Sequence, residues 1–219
     1  MTGSHALRLG DIAPNFEAAT TQGDVDFHVF KKDSWAILFS HPEDFTPVCT
    51  TELGAVARLS SEWAARGVKP IGLSCNTLES HAEWIADINE TQSADVRFPI
   101  IADADRRVAT LYNMLDFQDA TNVDKKGMPL TVRSVFIIDP KHVIRTIITY
   151  PASTGRNFNE ILRVVDSLQL SDKRKIATPV NWVPGDDVII PPSVKQEDAD
   201  RLFPGHKVIK PYLRTTKLD

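Results

Sequence analysis

Between residues 35 and 168 the chain alternates short apolar runs, rich in β-forming residues, with longer runs of helical periodicity. This alternation predicts an α/β fold in which helices cover the faces of one sheet. The last two strands are separated only by residues 139–142, which predicts a hairpin and therefore a mixed sheet. The predicted strands are residues 35–40, 69–74, 99–102, 134–138 and 143–149, with a peripheral strand at 25–30. The predicted helices are residues 50–66, 79–89, 105–115 and 157–168.

The amino-acid composition of the chain changes after residue 170. Six of its fourteen prolines lie in residues 171–219, at spacings through which no long helix can run. The same segment contains Trp182, Ile189, Phe203 and other apolar side chains, which are too many for a disordered tail. We therefore predict a core domain at residues 1–170 and an ordered extension at 171–219 that packs on the core or on a partner subunit.

The amino-acid composition limits the classes of protein to which this chain can belong. The chain has 219 residues, of which 42% are hydrophobic, and a net charge of −4, so it can bury a large core and gives no sign of binding nucleic acid. No apolar run approaches membrane-spanning length, and no signal core is evident. Two cysteines do not form a disulfide scaffold, and they suit a reducing compartment. We expect a cytoplasmic protein, or a mitochondrial one if a presequence has been removed.

Cys49 lies where the loop after strand 35–40 enters a predicted helix. Unpaired backbone N–H groups and the positive end of the helix dipole favour a thiolate at such a position. No second cysteine lies nearby, which excludes a CxxC dithiol. The alternative interpretation is a small buried apolar residue, as lone cysteines often are.

Pro42, Thr46 and Cys49 form the pattern PxxxTxxC, which resembles the active-site motif of the peroxiredoxins. The stretches 39–53, 151–157 and 177–182 are similar to the one-cysteine branch of that family, so the resemblance covers nearly the whole chain. It implies a thioredoxin-like fold with a C-terminal extension and a homodimer. It also implies a peroxidase that reduces hydrogen peroxide and organic hydroperoxides with a thiol. Neither a metal nor a prosthetic cofactor is predicted.

Peroxide cleavage requires a nucleophilic thiolate and donors for the charge that develops on the leaving oxygen. Arg133 is the candidate cation, because a guanidinium stays charged and presents fixed donors; the resemblance supports it, and the alternative is a surface ion pair. The hydroxyl of Thr46 can donate to one peroxide oxygen and accept from the other, or it can cap the helix. Pro42 either shields the sulfur from water or only shapes the loop.

Three further residues are candidates for supporting roles. His41, at a place where the family pattern also has a histidine, can hydrogen-bond around the pocket, or it can be a satisfied structural donor. Glu52 lies one helical turn past Cys49 and can orient Arg133, or it can be an acid favoured in a first helical turn. The resemblance places Arg156 at the site as a second arginine.

Cys75 follows the strand at 69–74 and is predicted to be a buried structural thiol. A resolving role would require its sulfur to come within disulfide range of Cys49. The resemblance places resolving cysteines in a C-terminal segment, which here contains none. The sulfenic acid of Cys49 therefore needs an external reductant, either glutathione with a helper transferase or a thioredoxin.

Two other activities are alternatives to peroxide reduction. Some one-cysteine peroxiredoxins hydrolyse phospholipids through a GxSxG serine, and the matching stretch here is residues 32–36 around Ser34, with His28 nearby. Both glycines are replaced and the acid position holds Lys141, with Asp139 two residues earlier, so we predict no hydrolase. A redox sensor, relay or chaperone that uses the same cysteine remains the alternative function.

Overall fold

The computed structural model describes residues 6–218, which divide into two compact units, one ending at Phe158 and one beginning at Asn159. The strands of the first unit are β1 Glu17–Thr20, β2 Gly23–Asp26, β3 Trp35–Ser40, β4 Val68–Ser74, β5 Ile100–Ala102, β6 Arg133–Ile138 and β7 Ile144–Tyr150. Its helices are α1 Phe27–Lys31, α2 Pro47–Arg58, α3 Ser60–Ala65, α4 Leu78–Gln92 and α5 Arg107–Leu111.

The seven strands form one mixed sheet in the order β2-β1-β5-β4-β3-β6-β7. Strand β4 pairs in parallel with β3 on one side and with β5 on the other, whereas β6 and β7 form the predicted antiparallel hairpin. Every residue of the interior strand β3 is buried, as expected where both faces of a sheet are covered. The predicted α/β architecture is confirmed, and Cys49 lies just beyond the carboxyl end of β3.

The peripheral strand predicted at residues 25–30 is wrong. Strand β2 ends at Asp26, whose carboxylate accepts a hydrogen bond from Val29 N at 2.9 Å and so caps helix α1. Phe27 is fully buried and stacks on Phe16 with ring centroids 4.9 Å apart. A side-chain cap and one buried aromatic therefore override a short apolar pattern.

Two predicted helices are shorter than their sequence patterns. The helix expected at residues 50–66 begins three residues earlier, at Pro47, and breaks at Leu59 into α2 and α3. The helix expected at 105–115 ends at Leu111, because Asn113 adopts a left-handed φ of 55° that closes the turn.

Helices α2 and α4 approach each other closely at Gly54. A Cβ at this position would lie 2.5 Å from Cβ and Cγ of Gln92, so no side chain fits there without a shift. Arg58 Nη1 donates to the Gln92 carbonyl at 2.7 Å, and Trp84 Nε1 donates to Thr50 Oγ1 at 3.2 Å. The helix that carries Cys49 is thus held against α4 along its length.

The second unit has its own small core. It contains α6, which spans Phe158–Arg174 and begins at the unit boundary, together with β8 Val188–Ile190, α7 Gln196–Leu202, β9 Lys207–Lys210 and β10 Leu213–Thr216. The three strands form a sheet in the order β8-β10-β9. Apolar side chains cluster in this unit around the buried Trp182. The predicted ordered extension is therefore present.

The boundary between the two compact units follows Phe158, which is 12 residues before the boundary at 170/171 predicted from the change in composition. Helix α6 accounts for the difference, because Ser167 Oγ lies 2.6 Å from Thr178 Oγ1 and Arg163 Nη1 donates to the Trp182 carbonyl at 3.2 Å. Among residues 6–218, no helix is long and apolar enough to cross a membrane.

Candidate active site

Cys49 is the third residue of α2, and its side chain is completely buried. Thr46 is the N-cap residue, with extended backbone angles, and Pro47 takes the first helical position, where its missing N–H costs nothing. The first turn of α2 therefore presents backbone amides and the positive end of the helix dipole beside the sulfur. This local geometry favours a negatively charged sulfur.

Arg133 provides a direct cationic contact to Cys49. Its Nη1 lies 3.3 Å from Sγ and also donates to Glu52 Oε2 at 2.8 Å. Its Nε and Nη2 both donate to the Ala152 carbonyl, at 2.9 and 2.6 Å. Arg133 is buried, so the alternative of a surface ion pair is excluded, and its guanidinium is fixed on three sides.

Glu52 joins this arginine to a second one. Arg156 donates to Glu52 Oε1 from its backbone N at 2.7 Å and from Nε at 3.0 Å, and to Oε2 from Nη2 at 2.8 Å. Burial raises the pKa of Glu52, but the charges of Arg156 and Arg133 and the hydrogen bonds from Arg156 outweigh it, so the pKa lies below its ordinary value. Glu52 is therefore an ionised link between the two guanidinium groups.

The formal charges of this cluster do not cancel. Two guanidinium cations face one carboxylate, which leaves one positive charge beside Sγ of Cys49. Uncompensated charge is costly in a buried site, and a thiolate at Cys49 would bring the sum to zero. The arrangement therefore favours the reactive form of the cysteine.

Pro42 and Thr46 lie in the loop that leads from β3 into α2. Pro42 is buried, and Thr46 Oγ1 donates to the Glu43 carbonyl at 2.8 Å. Thr46 makes no side-chain hydrogen bond to the amides of α2, so it caps the helix through its backbone position only. Its hydroxyl oxygen retains the capacity to accept. The roles of both residues in handling peroxide stay predictions.

His41 hydrogen-bonds away from the sulfur. Its Nε2 lies 2.8 Å from Asp44 Oδ1, while its Nδ1 is buried and has no partner among the described residues. Burial lowers the pKa of His41 more than the hydrogen bond and charge of Asp44 raise it, so the ring is neutral at physiological pH. The structure places His41 in a second polar cluster, distinct from the one formed by Glu52 and the arginines.

The other members of that cluster were not predicted from the sequence. Asp44 Oδ2 accepts from Ser80 Oγ and from His81 Nδ1, both at 2.7 Å, and His81 Nε2 lies 3.1 Å from the Ile101 carbonyl oxygen. Asp44 and His81 are 37 residues apart, so no local spacing links them. The only signal was the position of Asp44 inside the PxxxTxxC stretch.

His41, Asp44 and His81 bring three ligand-type atoms within 4.8 Å of one another. The contacts of Asp44 with the two rings, at 2.8 and 2.7 Å, have the length of hydrogen bonds. Ligands of a tetrahedral zinc ion, with bonds of about 2.0 Å, lie about 3.3 Å apart. As they stand, these residues are hydrogen-bonded to each other and not spaced for a metal.

Cys75 has a different environment from Cys49. It is a free, half-buried cysteine, and burial raises the pKa of its thiol to about 12 despite the nearby charge of Arg106. It is therefore protonated and unreactive at neutral pH. This agrees with the predicted structural role.

The geometry around Ser34 does not form a hydrolytic triad. His28 Nε2 lies 2.8 Å from the Ala13 carbonyl oxygen, and its ring stacks on His142 at 4.0 Å. Within residues 6–218, no hydrogen bond joins Ser34 to His28. Asp139 accepts from two backbone amides of its own turn and from Arg145. The absence of hydrolase activity at Ser34 stays a prediction.

Comparison with known proteins gives two family matches. Residues 9–147 match the AhpC/TSA family, and residues 167–206 match the C-terminal domain of 1-Cys peroxiredoxin. The chain is 54% identical to the mitochondrial peroxiredoxin PRX1 of Saccharomyces cerevisiae over 212 residues, which cover 96% of this chain and 81% of the relative.

Two solved structures are also similar. A cysteine-to-serine mutant of peroxiredoxin 6 from Arenicola marina superposes with a TM-score of 0.94 at 47% identity, over 98% of this chain and 99% of that one. A yeast mitochondrial 1-Cys peroxiredoxin, described with a thiol resolving mechanism via glutathione/thioredoxin systems, superposes with a TM-score of 0.88 at 51% identity. The match covers 97% of this chain and 100% of that one.

Proposed function

The chain belongs to the AhpC/TSA family and to its one-cysteine peroxiredoxins, and from this premise we propose that Cys49 is the peroxidatic thiolate of a thiol-dependent peroxidase. The observation that carries the proposal is the 3.3 Å contact between Arg133 Nη1 and a buried sulfur at the start of α2. Peroxiredoxins reduce peroxides at the expense of a thiol, and the site contains the nucleophile and the donor that this chemistry needs.

In the oxidation step the Cys49 thiolate attacks one oxygen of the peroxide. An S–O bond forms, the O–O bond breaks, and the second oxygen leaves as hydroxide or alkoxide, so the cysteine becomes a sulfenic acid. Arg133 is held by Glu52 and by the Ala152 carbonyl, so its donors are already oriented when negative charge moves onto oxygen. The Thr46 hydroxyl is expected to accept the hydrogen bond of the attacked hydroperoxide.

The sulfenic acid must then be reduced by another molecule. Cys75 is a poor resolving group, because burial raises the pKa of its thiol to about 12. An external thiol condenses with the sulfenic acid to a mixed disulfide and water, and a second thiol releases Cys49. By analogy with the yeast relative we propose glutathione or thioredoxin as the reductant. Because Cys49 is fully buried, the start of α2 must move before such a thiol can reach it.

We also propose that the protein is a homodimer. Strand β7 is an edge of the seven-stranded sheet, and its sequence IRTIITY has one charged residue. An open apolar edge of this kind pairs readily with another chain, and homo-oligomers with two-fold symmetry are the commonest solution. Packing of the extension on the core or on the partner, and a cytoplasmic or mitochondrial location, stay predictions.

The proposed function is tested by one equivalent of hydrogen peroxide followed by mass spectrometry of the thiols. In the parent protein we expect one added oxygen on Cys49 and its removal by glutathione or thioredoxin. The Cys49→Ser variant should be folded and should show no peroxide turnover, whereas the matched Cys75→Ser variant should turn over like the parent. Peroxide reduction by Cys49→Ser would refute the assignment, and oxidation without turnover by any thiol would favour a redox relay.

A further inference from the structure

A serine hydroxyl of β3 contacts the backbone on both sides of Arg133. Ser40 Oγ donates to the Val132 carbonyl at 2.6 Å and accepts from Ser134 N at 3.1 Å. Ser40 is completely buried, so its hydroxyl has no bulk water to bond instead. One hydroxyl therefore holds the residue before and the residue after the arginine that contacts Cys49.

The backbone alone cannot complete the sheet at this end of β6. The paired register of β3 and β6 ends with Phe39 opposite Val135. The same register, continued, would set Pro42 opposite Val132. Proline has no N–H, so it cannot donate to the Val132 carbonyl as another ladder residue would. The hydroxyl of Ser40 donates to that carbonyl in its place.

The two sides of β6 are held differently at this point. On the side of β7, Arg133 lies opposite Tyr150 in the regular antiparallel ladder. On the side of β3, hydroxyl groups join the strands, because Thr131 Oγ1 also donates to the His41 carbonyl at 2.6 Å. Loss of the Ser40 hydroxyl would therefore loosen Arg133 on one side only, while the β6–β7 hairpin still pairs on the other.

The reach of Arg133 depends on where its backbone stands. Its Nη1 lies 3.3 Å from Cys49 Sγ, so the contact has little distance to spare. Arg156 is tied to the same short segment, because its Nη1 donates to the Ser134 carbonyl at 2.9 Å. In an active site, a misplacement of about 1 Å can cost about 10²-fold in rate. The segment that Ser40 holds therefore positions both guanidinium groups of the site.

We propose that Ser40 is a positioning residue of the peroxidatic site. Its hydroxyl replaces the ladder donor that Pro42 lacks, and it thereby sets the distance between the Arg133 guanidinium and the cysteine sulfur. The consequence for peroxide chemistry rests on the proposed function, whereas the link from Ser40 to Arg133 does not. Ser40 acts through the backbone that flanks the arginine, to which its hydroxyl is bonded.

The test follows alkylation of Cys49 by iodoacetamide against pH, a measurement that needs no peroxidase activity. In Ser40→Ala we expect the profile to move to higher pH, as in Arg133→Ala but by less, because the guanidinium is displaced and not removed. The rate constant for oxidation of Cys49 by peroxide should fall about tenfold. An unchanged alkylation profile would overturn the proposal. If the parent protein showed no peroxide turnover, the proposed function would fail, and the alkylation profile would still decide the role of Ser40.

A double-mutant cycle separates this role from a merely structural one. If Ser40 acts through the guanidinium, adding Ser40→Ala to Arg133→Ala should move the alkylation profile no further. The rate constant for oxidation should then stay within about twofold of that of Arg133→Ala alone. The same shift in both backgrounds would show that Ser40 acts independently of Arg133, and it would contradict the proposal.

The matched control is Thr20→Val, which removes another buried hydroxyl with the same two kinds of hydrogen bond. Thr20 Oγ1 donates to the Gly23 carbonyl at 2.7 Å and accepts from Gln22 N at 3.1 Å. Thr20 belongs to β1, and strands β5 and β4 lie between β1 and β3 in the sheet. This variant should keep the parent alkylation profile. A shift equal to that of Ser40→Ala would show a general effect of losing a buried hydroxyl and would contradict the proposal.

If Ser40→Ala does not fold, two other variants at this position take its place. Ser40→Thr and Ser40→Val have side chains of nearly the same shape, and only the first keeps a hydroxyl. We expect the alkylation profile of Ser40→Val to lie at higher pH than that of Ser40→Thr. Equal profiles for the two variants would overturn the proposal.

Discussion

The two buried polar clusters beside the loop before α2 differ in how their charge is balanced. Arg133, Arg156 and Glu52 hold charges that neutral pH cannot change, and they sum to one positive charge that a thiolate at Cys49 would cancel. The cluster of His41, Asp44 and His81 contains one carboxylate, whose two oxygens lie 2.8 and 2.7 Å from a nitrogen of each ring. The first cluster is therefore suited to holding a reactive anion, and the second to holding a loop.

Replacement of Arg133 should have the largest effect on the first cluster. Arg133→Ala removes the donor to Sγ and the excess positive charge together, so peroxide oxidation of Cys49 should slow about 10²- to 10³-fold. The pH profile of Cys49 alkylation by iodoacetamide should move to higher pH. Arg133→Lys is the control: it keeps a charge but loses the fork that reaches Ala152, so it should be intermediate. An unchanged alkylation profile in Arg133→Ala would show that this arginine does not favour the thiolate.

Glu52→Gln should destabilise the protein, because it leaves two buried guanidinium groups without a carboxylate. Loss of one partner from a buried ion pair typically costs about 3–5 kcal/mol, measurable as a lower midpoint of urea unfolding. The pKa of Glu52 is lowered on folding. Its contribution to stability is therefore fully present at pH values above the pKa of the unfolded state, and it is lost as the pH falls through the lower pKa of the folded state.

The difference in unfolding free energy between parent and Glu52→Gln should therefore shrink on going from pH 7 toward pH 3. As a control, Asp95→Asn, which changes the exposed pair between Asp95 and Arg97, should be nearly neutral. An unfolding difference that did not vary with pH would show that the ionised state of Glu52 does not matter for stability.

Cys75→Ser should have the smallest effect on peroxide turnover of the variants considered. Its thiol is protonated at neutral pH, and no guanidinium contact comparable to that of Cys49 is found for it in residues 6–218. Peroxide oxidation and recycling by external thiol should remain within a factor of about two of the parent. A disulfide between Cys49 and Cys75 in oxidised monomer, detected by peptide mapping, would overturn the one-cysteine cycle.

The sequence was a good guide wherever one local pattern determined the outcome. Strand β3 was predicted to the residue, because a run such as WAILFS has no alternative to burial in a sheet. The contact of Arg133 with Cys49 was also expected, although 84 residues separate them, because the chemistry of a thiolate demands a cation and the resemblance to the peroxiredoxins supported this arginine.

Features that depend on partners distant in sequence were not predictable. Asp44 looked like one acid in a loop and His81 like one histidine in a helix, and only the fold brings them together. Arg156 was placed at the site by resemblance alone, and its three hydrogen bonds to Glu52 could not be derived from spacing. The strand predicted at residues 25–30 failed because the cap at Asp26 was not recognised.

Gly54 places a limit on how this chain can diverge in evolution. Its backbone occupies the space that a side chain would need against Gln92, so any larger residue at position 54 would wedge α2 away from α4. Because α2 carries Cys49, such a change would be felt at the sulfur, more than a helical turn away. Because one of the two clashing atoms is the Cβ of Gln92, only glycine at 92 would remove both, so a substitution at 54 otherwise requires one helix to shift.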